Sequence, residues 1–321
     1  MKKLLLAVAA LASLACAKNI PPPAVKASTD EATVAKGKYL SSTMGCLACH
    51  SERDWTKLGG PVKEGRELVG DAALSKEAGF PPSFDFGSPN LTPAHLKEWT
   101  DGEIVRATFL GQGKQGEGFF PLMPYMEWRD AIALDDAGAV VAYLRTVPAV
   151  EGAPMPARKF PMPGFVLNGF PEPRDLRAAA PKPGDADYGK YVAVRSGCMA
   201  CHTNADARGK FTGAPYSGGR MFPLPQPAGG AVWSANLTPD EESGLGKWTK
   251  EMFVARFKSS TLEVARAVTV NKGDFQTNMP WWTYSELSEE DLGAMFDYFR
   301  SLPATKNVVV KHSPVLPAPP K

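Results

Sequence analysis

The stretches GCLACHS (residues 45–51) and GCMACHT (residues 197–203) have nearly the same sequence and lie 152 positions apart in a chain of 321 residues. Four further pairs of segments follow them in the same order: SPNLTP and SANLTP, EWTDGEIVRATF and KWTKEMFVARFK, MPYMEW and MPWWTY, and VAYLRTVP and FDYFRSLP. A shared order of this kind indicates an internal duplication. We call residues 29–148 the first repeat and residues 185–304 the second repeat.

Both stretches contain the pattern C-x-x-C-H, which is the signature of covalent haem attachment. Two thiols at this spacing can each form a thioether with one of the two vinyl groups of a haem. The adjoining histidine then ligates the iron through a ring nitrogen, so the sequence predicts two haem c groups. The predicted attachment residues are Cys46, Cys49, Cys198 and Cys201, and the predicted iron ligands beside them are His50 and His202.

Other roles for these cysteines fit the sequence less well. A thioredoxin-like motif would need a βαβ context, which the sequence does not indicate, and it would not need the following histidine. A zinc site with four cysteines needs two C-x-x-C pairs that are usually roughly 15–20 residues apart, whereas the two pairs of this chain are 152 positions apart. A disulfide is open to an exported cysteine, but bridging within so short a unit is geometrically unfavourable.

The second axial ligand of each iron is predicted from the repeated Met-Pro segment. Methionine is a common partner of histidine in cytochromes c, where it raises the reduction potential. Met123 and Met279 occupy the same place in the pattern Met-Pro-aromatic-x-x-aromatic. Met126 is the competing candidate for the iron ligand of the first repeat. The alternative role of Met126 is packing in the core. His95, which has no counterpart in the second repeat, and His312, in the proline-rich tail, are predicted to be solvated.

Two further residue pairs are matched between the repeats. Trp99 and Trp248 are predicted to pack against haem or helix, and a hydrogen bond to a haem propionate is the alternative. Asn90 and Asn236 are predicted to fix the loop that faces the haem through hydrogen bonds from side chain to backbone.

The N-terminal sequence MKKLLLAVAALASLACAKN is typical of a secretion signal, with two lysines, an apolar run and small residues. The ACA at residues 15–17 fits a signal peptidase site, whereas SLAC resembles a lipobox in which Cys16 becomes lipidated. We favour lipidation because Cys16 lies outside both C-x-x-C-H motifs. The signal peptide is assigned to residues 1–17 and a flexible tether to residues 18–28. The protein is therefore predicted to be exported to the periplasm, with a lipid anchor to the membrane as one option.

The remaining patterns predict an all-α fold. Thr100 and Thr249 are candidate helix N-caps, the first with Glu103 in a capping box, and no stretch alternates convincingly as a strand. Residues 149–184 and 305–321 are rich in proline and are predicted to be a linker and a tail. The aromatic and apolar residues of the linker suggest that it packs against the repeats: Phe160, Phe165, Leu167 and Phe170.

A formal net charge of +2 argues against a nucleic-acid partner, which would need a basic face.

Each repeat resembles a class I cytochrome c domain. It has a helix with Gly-Lys-Tyr (residues 37–39 and 189–191), the C-x-x-C-H motif, a Met-Pro loop and a final helix with an aromatic residue, Tyr143 or Tyr298. The resemblance implies two tandem class I cytochrome c domains with long Gly/Pro-rich loops, whose first and last helices cross closely at the glycine. The NLTP and WT segments are similar to those of the cytochrome subunits of periplasmic alcohol and sugar-acid dehydrogenases.

The predicted function is that of a periplasmic dihaem electron carrier and not of an enzyme. An iron held by both His and Met has no open position for a substrate, and such a site suits electron transfer. The predicted donor is a dehydrogenase, and the acceptor is another cytochrome or a terminal oxidase. The alternatives are a dihaem peroxidase with one open haem, an electron-transfer subunit of a dehydrogenase complex and, more distantly, a thiosulfate-oxidising dihaem enzyme.

Overall fold

The computed structural model describes residues 19–206 and 210–317, so Cys16 and the predicted signal peptide lie outside it. The first repeat contains α1 (Glu31–Thr43), α2 (Cys46–Cys49), α3 (Leu74–Glu77), α4 (Pro93–Leu96), α5 (Asp101–Val105), a π-helical turn (Arg106–Leu110), α6 (Tyr125–Trp128) and α7 (Leu134–Thr146). Helix α8 (Gly164–Leu167) lies in the linker. The second repeat and the tail contain α9 (Tyr188–Arg195), α10 (Cys198–His202), β1 (Met221–Pro223), β2 (Ala231–Trp233), α11 (Lys250–Lys258), α12 (Leu262–Ala267), α13 (Trp281–Tyr284), α14 (Glu289–Ser301) and β3 (His312–Ser313).

Several helices begin where the sequence supplies a capping side chain. The side chain of Thr100 accepts a hydrogen bond from the Glu103 N–H, and the Glu103 carboxylate accepts one from the Thr100 N–H, which confirms the predicted capping box at α5. Thr249 caps α11 in the same way by accepting from the Met252 N–H. Each cap satisfies N–H groups that have no partner within the helix.

The first and last helices of each repeat cross at a glycine. A Cβ atom on Gly37 of α1 would lie 1.8 Å from the Ala139 carbonyl oxygen in α7, and one on Gly189 of α9 would lie 2.1 Å from the Ala294 carbonyl oxygen in α14. The β-carbon of the nearby tyrosine would be 2.9 and 3.1 Å away, respectively. Any larger residue would push the helices apart, so the close crossing expected from the sequence is confirmed in both repeats.

The prediction of an all-α fold is wrong. Helices make up only 34% of the structure, and the three strands form an antiparallel sheet in the order β1-β2-β3. Met221 pairs with Trp233, and Val232 pairs with His312. Strands of two or three residues are too short to show an alternating pattern, and β3 belongs to the tail, which proline content marked as irregular. The assignment of tandem domains and their boundaries stays a prediction.

The linker and the tail both run back along the repeat that precedes them. In the linker, Lys159 and Asp85 exchange two backbone hydrogen bonds of 2.7 and 3.0 Å. The ring of Phe160 stacks against those of Phe86 and Phe120 at 5.3 Å. The tail makes the corresponding contact with the second repeat, where β3 pairs with β2. The expected packing of the linker is therefore confirmed at Phe160, but Phe165 is 53% exposed.

The segment expected to be a flexible tether is held against the first repeat. Ile20 is buried, its N–H donates to Gln112 Oε1 (2.9 Å), and its carbonyl accepts from Arg106 Nη1 (3.1 Å). Pro23 packs against Gly102, where a Cβ would lie 2.3 Å from the Pro23 carbonyl oxygen. The proline content of a segment does not show whether the segment packs against the rest of the protein.

Within the described ranges, no helix has the length and apolar character that a membrane crossing requires.

Reciprocal hydrogen bonds join the two repeats. Tyr39 of the first repeat donates to Asp291 Oδ2 at 2.5 Å, and Tyr191 of the second donates to Asp136 Oδ2 at 2.5 Å. Each tyrosine oxygen also accepts from the N-terminal backbone of the partner helix, at 3.0 Å from Ser288 N and 3.3 Å from Ala133 N. Equivalent residues of the two repeats therefore form the same hydrogen bonds in both directions, as in an isologous, two-fold symmetric interface.

Arg195 adds a buried ion pair to this interface. Its guanidinium forms a salt bridge with Asp291, and both side chains are less than one-tenth exposed. The same guanidinium lies 5.6 Å from the ring centre of Tyr39. Tyr188 also donates to the Asp291 carboxylate. The ion pair lies within the second repeat, and it holds the Asp291 carboxylate in the position where Tyr39 of the first repeat donates to it.

Candidate haem-binding sites

Each Cys motif is a short helix that starts at a glycine with positive φ. Gly45 has φ 77° before α2, and Gly197 has φ 67° before α10. This left-handed conformation ends the preceding helix and is easiest for glycine, which has no Cβ. The motif therefore turns sharply away from α1 or α9, and the repeated glycine has a structural reason.

The two motif histidines are oriented in the same way. His50 Nδ1 lies 2.9 Å from the Pro89 carbonyl oxygen, and His202 Nδ1 lies 2.7 Å from the Ala235 carbonyl oxygen. An imidazole whose Nδ1–H donates to a carbonyl leaves Nε2 free as a metal ligand. Burial lowers the pKa of both histidines, and the neutral form that this favours is the one that binds metal.

The repeated NLTP segments hold the carbonyl groups that orient these histidines. The Asn90 side chain donates to the Val150 carbonyl (2.8 Å), and the Asn236 side chain donates to the Thr305 carbonyl (2.7 Å). Each asparagine also accepts from the backbone N–H two residues ahead, at 2.7 and 2.9 Å. The prediction that both asparagines fix their loops is confirmed, and each loop is tied to the chain just beyond the last helix.

The Met-Pro segments form matching turns. The Met123 carbonyl accepts from the Tyr125 N–H, and the Met279 carbonyl accepts from the Trp281 N–H, both at 2.8 Å. Pro124 and Pro280, the central residues of these two turns, have φ and ψ near the values of an inverse γ-turn. Met123 packs against the first core together with Cys46, whereas Met126 is 36% exposed. The packing favours Met123 over Met126, and its role as iron ligand stays a prediction.

In the second repeat the predicted site residues line one cavity of about 410 Å³. The cavity wall includes both cysteines and both predicted iron ligands: Cys198, Cys201, His202 and Met279. Several aromatic residues contribute to the rest of the wall, among them Trp248, Phe253, Phe257 and Tyr284. Two thiols, an oriented imidazole and a thioether around an apolar space are the groups that a haem c needs. The residues present therefore fit the cofactor.

The remaining candidates lie where packing or the surface accounts for them. Trp99 packs against the first core, with the ring of His95 6.3 Å away. His312 lies in β3, 5.4 Å from the ring centre of Phe275. His95 is exposed, as predicted. The prediction that His312 is solvated is wrong, because its ring is half-buried against Phe275, which lines the cavity of the second repeat.

The two Cys motifs lie close to each other across the interface between the repeats. The Tyr284 hydroxyl donates to the Ser196 carbonyl at 2.7 Å and lies 3.6 Å from the Cβ position of Gly45. Pro124 of the first Met-Pro segment lies 3.6 Å from the Cβ position of Gly197. Each Met-Pro segment therefore reaches the Cys motif of the other repeat, and a haem on each motif would share this boundary.

Two arginines that the sequence did not single out support the motifs. Arg53 Nη1 donates to the Ala48 carbonyl (3.3 Å), and Arg220 Nη1 donates to the Ala200 carbonyl. These alanines are equivalent, since each precedes the second cysteine of its motif. The arginines come from different positions in the repeats, so the sequence comparison could not pair them.

The chain is similar in sequence to several curated cytochrome subunits. The gluconate 2-dehydrogenase cytochrome c subunit of Pantoea cypripedii is 32% identical over 288 residues, which cover 86% of this chain and 60% of the relative. The fructose dehydrogenase cytochrome subunit of Gluconobacter japonicus is 24% identical over 299 residues, or 88% of this chain and 55% of the relative. The cytochrome c subunit of the alcohol dehydrogenase (quinone) of Gluconobacter oxydans is 33% identical over 111 residues, or 35% of this chain and 20% of the relative.

The chain spans only part of these relatives, between 20% and 60% of their lengths. No protein-family model matches it. All three relatives are cytochrome subunits, which agrees with the prediction of an electron carrier with haem c. The resemblance inferred from the sequence is thus confirmed: the chain is similar to the cytochrome c subunits of alcohol, fructose and gluconate dehydrogenases.

Proposed function

We propose that the protein is a dihaem c-type cytochrome that carries electrons from a dehydrogenase to an acceptor in the periplasm. The observation that carries this proposal is the repetition of one site geometry. In both repeats a C-x-x-C-H histidine has its Nδ1 bonded to a backbone carbonyl, and the methionine of the Met-Pro turn packs against the same core as the first cysteine of the motif. A bound haem c supplies an iron that can hold or release one electron.

The chain's own residues would fix the position and the coordination of each haem. Cys46 and Cys49 would attach the first haem, and Cys198 and Cys201 the second. The carbonyls that accept from His50 and His202 leave each Nε2 free to bind iron, and Met123 and Met279 would supply the second protein ligand of each iron. A haem held by two such ligands would have no open position for a substrate and would suit electron transfer. The proximity of the two Cys motifs supports transfer between the haems within one molecule.

The relatives support a dehydrogenase as the electron donor, since their names describe cytochrome subunits of dehydrogenases. The acceptor that we propose is another cytochrome or a terminal oxidase. The signal-like N-terminus supports export, and lipidation of Cys16 would attach the protein to a membrane. Mass spectrometry of the exported N-terminus tests the lipid, because a mature chain that begins after Ala17 would exclude it.

Replacing each predicted methionine ligand tests the function and separates a carrier from a peroxidase. The wild-type protein should contain two haems per chain, both low-spin and unreactive towards carbon monoxide. Met123→Ala and Met279→Ala should each convert one haem to a form that binds carbon monoxide, because each removes one axial ligand. Met126→Ala is the matched control and should leave the spectrum unchanged. Wild-type protein with a high-spin haem that binds carbon monoxide would contradict the carrier.

A further inference from the structure

The chain around Met279 is bonded to residues 55–60 of the first repeat, which we call the 55–60 loop. Trp282, three positions after the methionine, donates from Nε1 to the Gly59 carbonyl at 3.1 Å. A Cβ on Gly59 would lie only 3.8 Å from the Met279 carbonyl oxygen. The predicted iron ligand of the second repeat therefore lies against backbone that belongs to the first repeat.

Gln276, three positions before Met279, makes most of the bonds to this loop. Its side chain is fully buried. The amide nitrogen donates to the Trp55 carbonyl at 3.2 Å and to the Lys57 carbonyl at 2.9 Å. The amide oxygen accepts from the Gly59 N–H at 2.6 Å. Both donor hydrogens of the amide and one acceptor site of its oxygen are thus used across the boundary between the repeats.

The same amide continues into the backbone of Met279. Gln276 Oε1 also accepts from the Thr277 N–H at 2.9 Å, and the Thr277 hydroxyl oxygen accepts from the Met279 N–H at 3.0 Å. Asn278 Nδ2 donates to the Pro223 carbonyl at 3.0 Å. The three side chains that precede the methionine therefore limit where its backbone can lie, and the first of them is held by the first repeat.

The segment before Met123 is held differently. Counted back from the methionine, Phe120 occupies the position of Gln276, and a phenylalanine ring has no amide to form these bonds. The Gly118 N–H donates instead to Asn168 Oδ1 of the linker at 2.8 Å. Support of the chain before the methionine by the opposite repeat is thus a property of the second site.

The 55–60 loop is in turn tied to the first Cys motif by Arg53. The guanidinium donates to the Gly59 carbonyl at 2.5 Å and to the Ala48 carbonyl at 3.3 Å. A methionine side chain is flexible, so the bonds around its backbone contribute to keeping the thioether in one place. Hydrogen bonds that orient a metal ligand from outside the site have this effect in general.

Resting on the proposed function, we propose that Gln276 is a positioning residue for Met279, through which the first repeat stabilises the methionine ligand of the second iron. The amide acts without touching the iron, because it restricts the movement of residues 276–279. Without it, the Met279 thioether would spend more time away from the iron and would become accessible to added reagents.

The first test is carbon monoxide binding to the reduced holoprotein. Gln276→Ala should allow one haem to bind carbon monoxide and leave the other unreactive. Met279→Ala identifies the reactive haem as the second one, since it removes the predicted ligand of that iron. Adding Gln276→Ala to Met279→Ala should cause no further change, whereas a general loss of stability would also open the first haem.

Alkylation of methionine by iodoacetate provides a readout that does not use the haem. Peptide mass spectrometry should show Met279 alkylated about tenfold faster in Gln276→Ala than in wild type, as expected for the loss of buried hydrogen bonds. Met123 should react at the same rate in both proteins. Met252, which is 51% exposed, should react equally in both and calibrates the reagent.

Two further variants keep the test independent of whether Gln276→Ala folds. Thr277→Val has nearly the same shape and removes the acceptor of the Met279 N–H, so it should also open the second haem. Tyr39→Phe is the matched control, because it removes a different hydrogen bond across the same boundary, and it should leave both haems closed.

The outcomes separate this inference from the proposed function. A protein with two haems whose second haem stays closed in both Gln276→Ala and Thr277→Val, with Met279 alkylated at the wild-type rate, would overturn the role of Gln276 alone. An equal opening of the second haem by Tyr39→Phe would overturn it as well. A chain that binds no haem would overturn the proposed function.

Discussion

Asn90 and Asn236 show how one side chain can determine the orientation of a predicted iron ligand that it does not touch. Each joins two distant backbone segments, and the carbonyl just before it accepts the hydrogen bond of the motif histidine. The repeat made these asparagines visible in the sequence. The carbonyls of Pro89 and Ala235 could not be identified there, because every residue has a carbonyl and only the folded backbone directs one to an imidazole.

Replacing either asparagine by alanine should destabilise the protein. Asn90→Ala would leave the Val150 carbonyl and the Thr92 N–H without this partner, and an unsatisfied buried polar group costs about 1–3 kcal/mol. We expect a loss of that size in the free energy of unfolding for Asn90→Ala and for Asn236→Ala. Urea titration of the holoprotein measures it. Asn271→Ala, in an exposed turn, is the control, and equal losses in all three variants would contradict the role of the NLTP loops.

At the scale of elements, the sequence predicted the helices well and the strands not at all. The helix expected around Gly-Lys-Tyr (residues 37–39) is observed as Glu31–Thr43, because an N-cap and a glycine with positive φ define its two ends. The sheet has strands of two or three residues, and one of them is supplied by the tail. Pairing between such short and distant segments depends on tertiary contacts and leaves no local pattern.

The helix crossings make a prediction about glycine. Gly37→Ala and Gly189→Ala should each destabilise the protein by about 1–3 kcal/mol or more, because the added methyl group overlaps a carbonyl of the partner helix. Gly138 lies in α7 with nothing closer than 3.9 Å to its Cβ position. Gly138→Ala should therefore stabilise the protein by up to about 1 kcal/mol through helix propensity. Thermal unfolding of the three variants tests this difference in sign.

For the whole molecule, duplication explains why so much of the candidate site was predictable. Every predicted haem-attachment residue and iron ligand has a counterpart at a matched position in the other repeat, so each copy of the motif supports the other. The two supporting arginines, Arg53 and Arg220, were missed because they come from positions that do not match between the repeats. Residues that differ between the two repeats can therefore give the two candidate sites different properties.

The reciprocal tyrosine bonds predict that the two repeats unfold as one unit. Both tyrosines donate to a buried aspartate of the other repeat, and each lost bond leaves a buried carboxylate short of a donor at a cost of about 1–3 kcal/mol. The double variant Tyr39→Phe/Tyr191→Phe should weaken the interface enough to separate the single unfolding transition of wild type into two. Calorimetry of the holoprotein, with the two haem absorption bands followed in parallel, measures this directly. Tyr143→Phe is the control, since its hydroxyl makes no hydrogen bond within the described residues, and it should keep one transition. Two transitions already present in wild type would show that the interface does not couple the repeats.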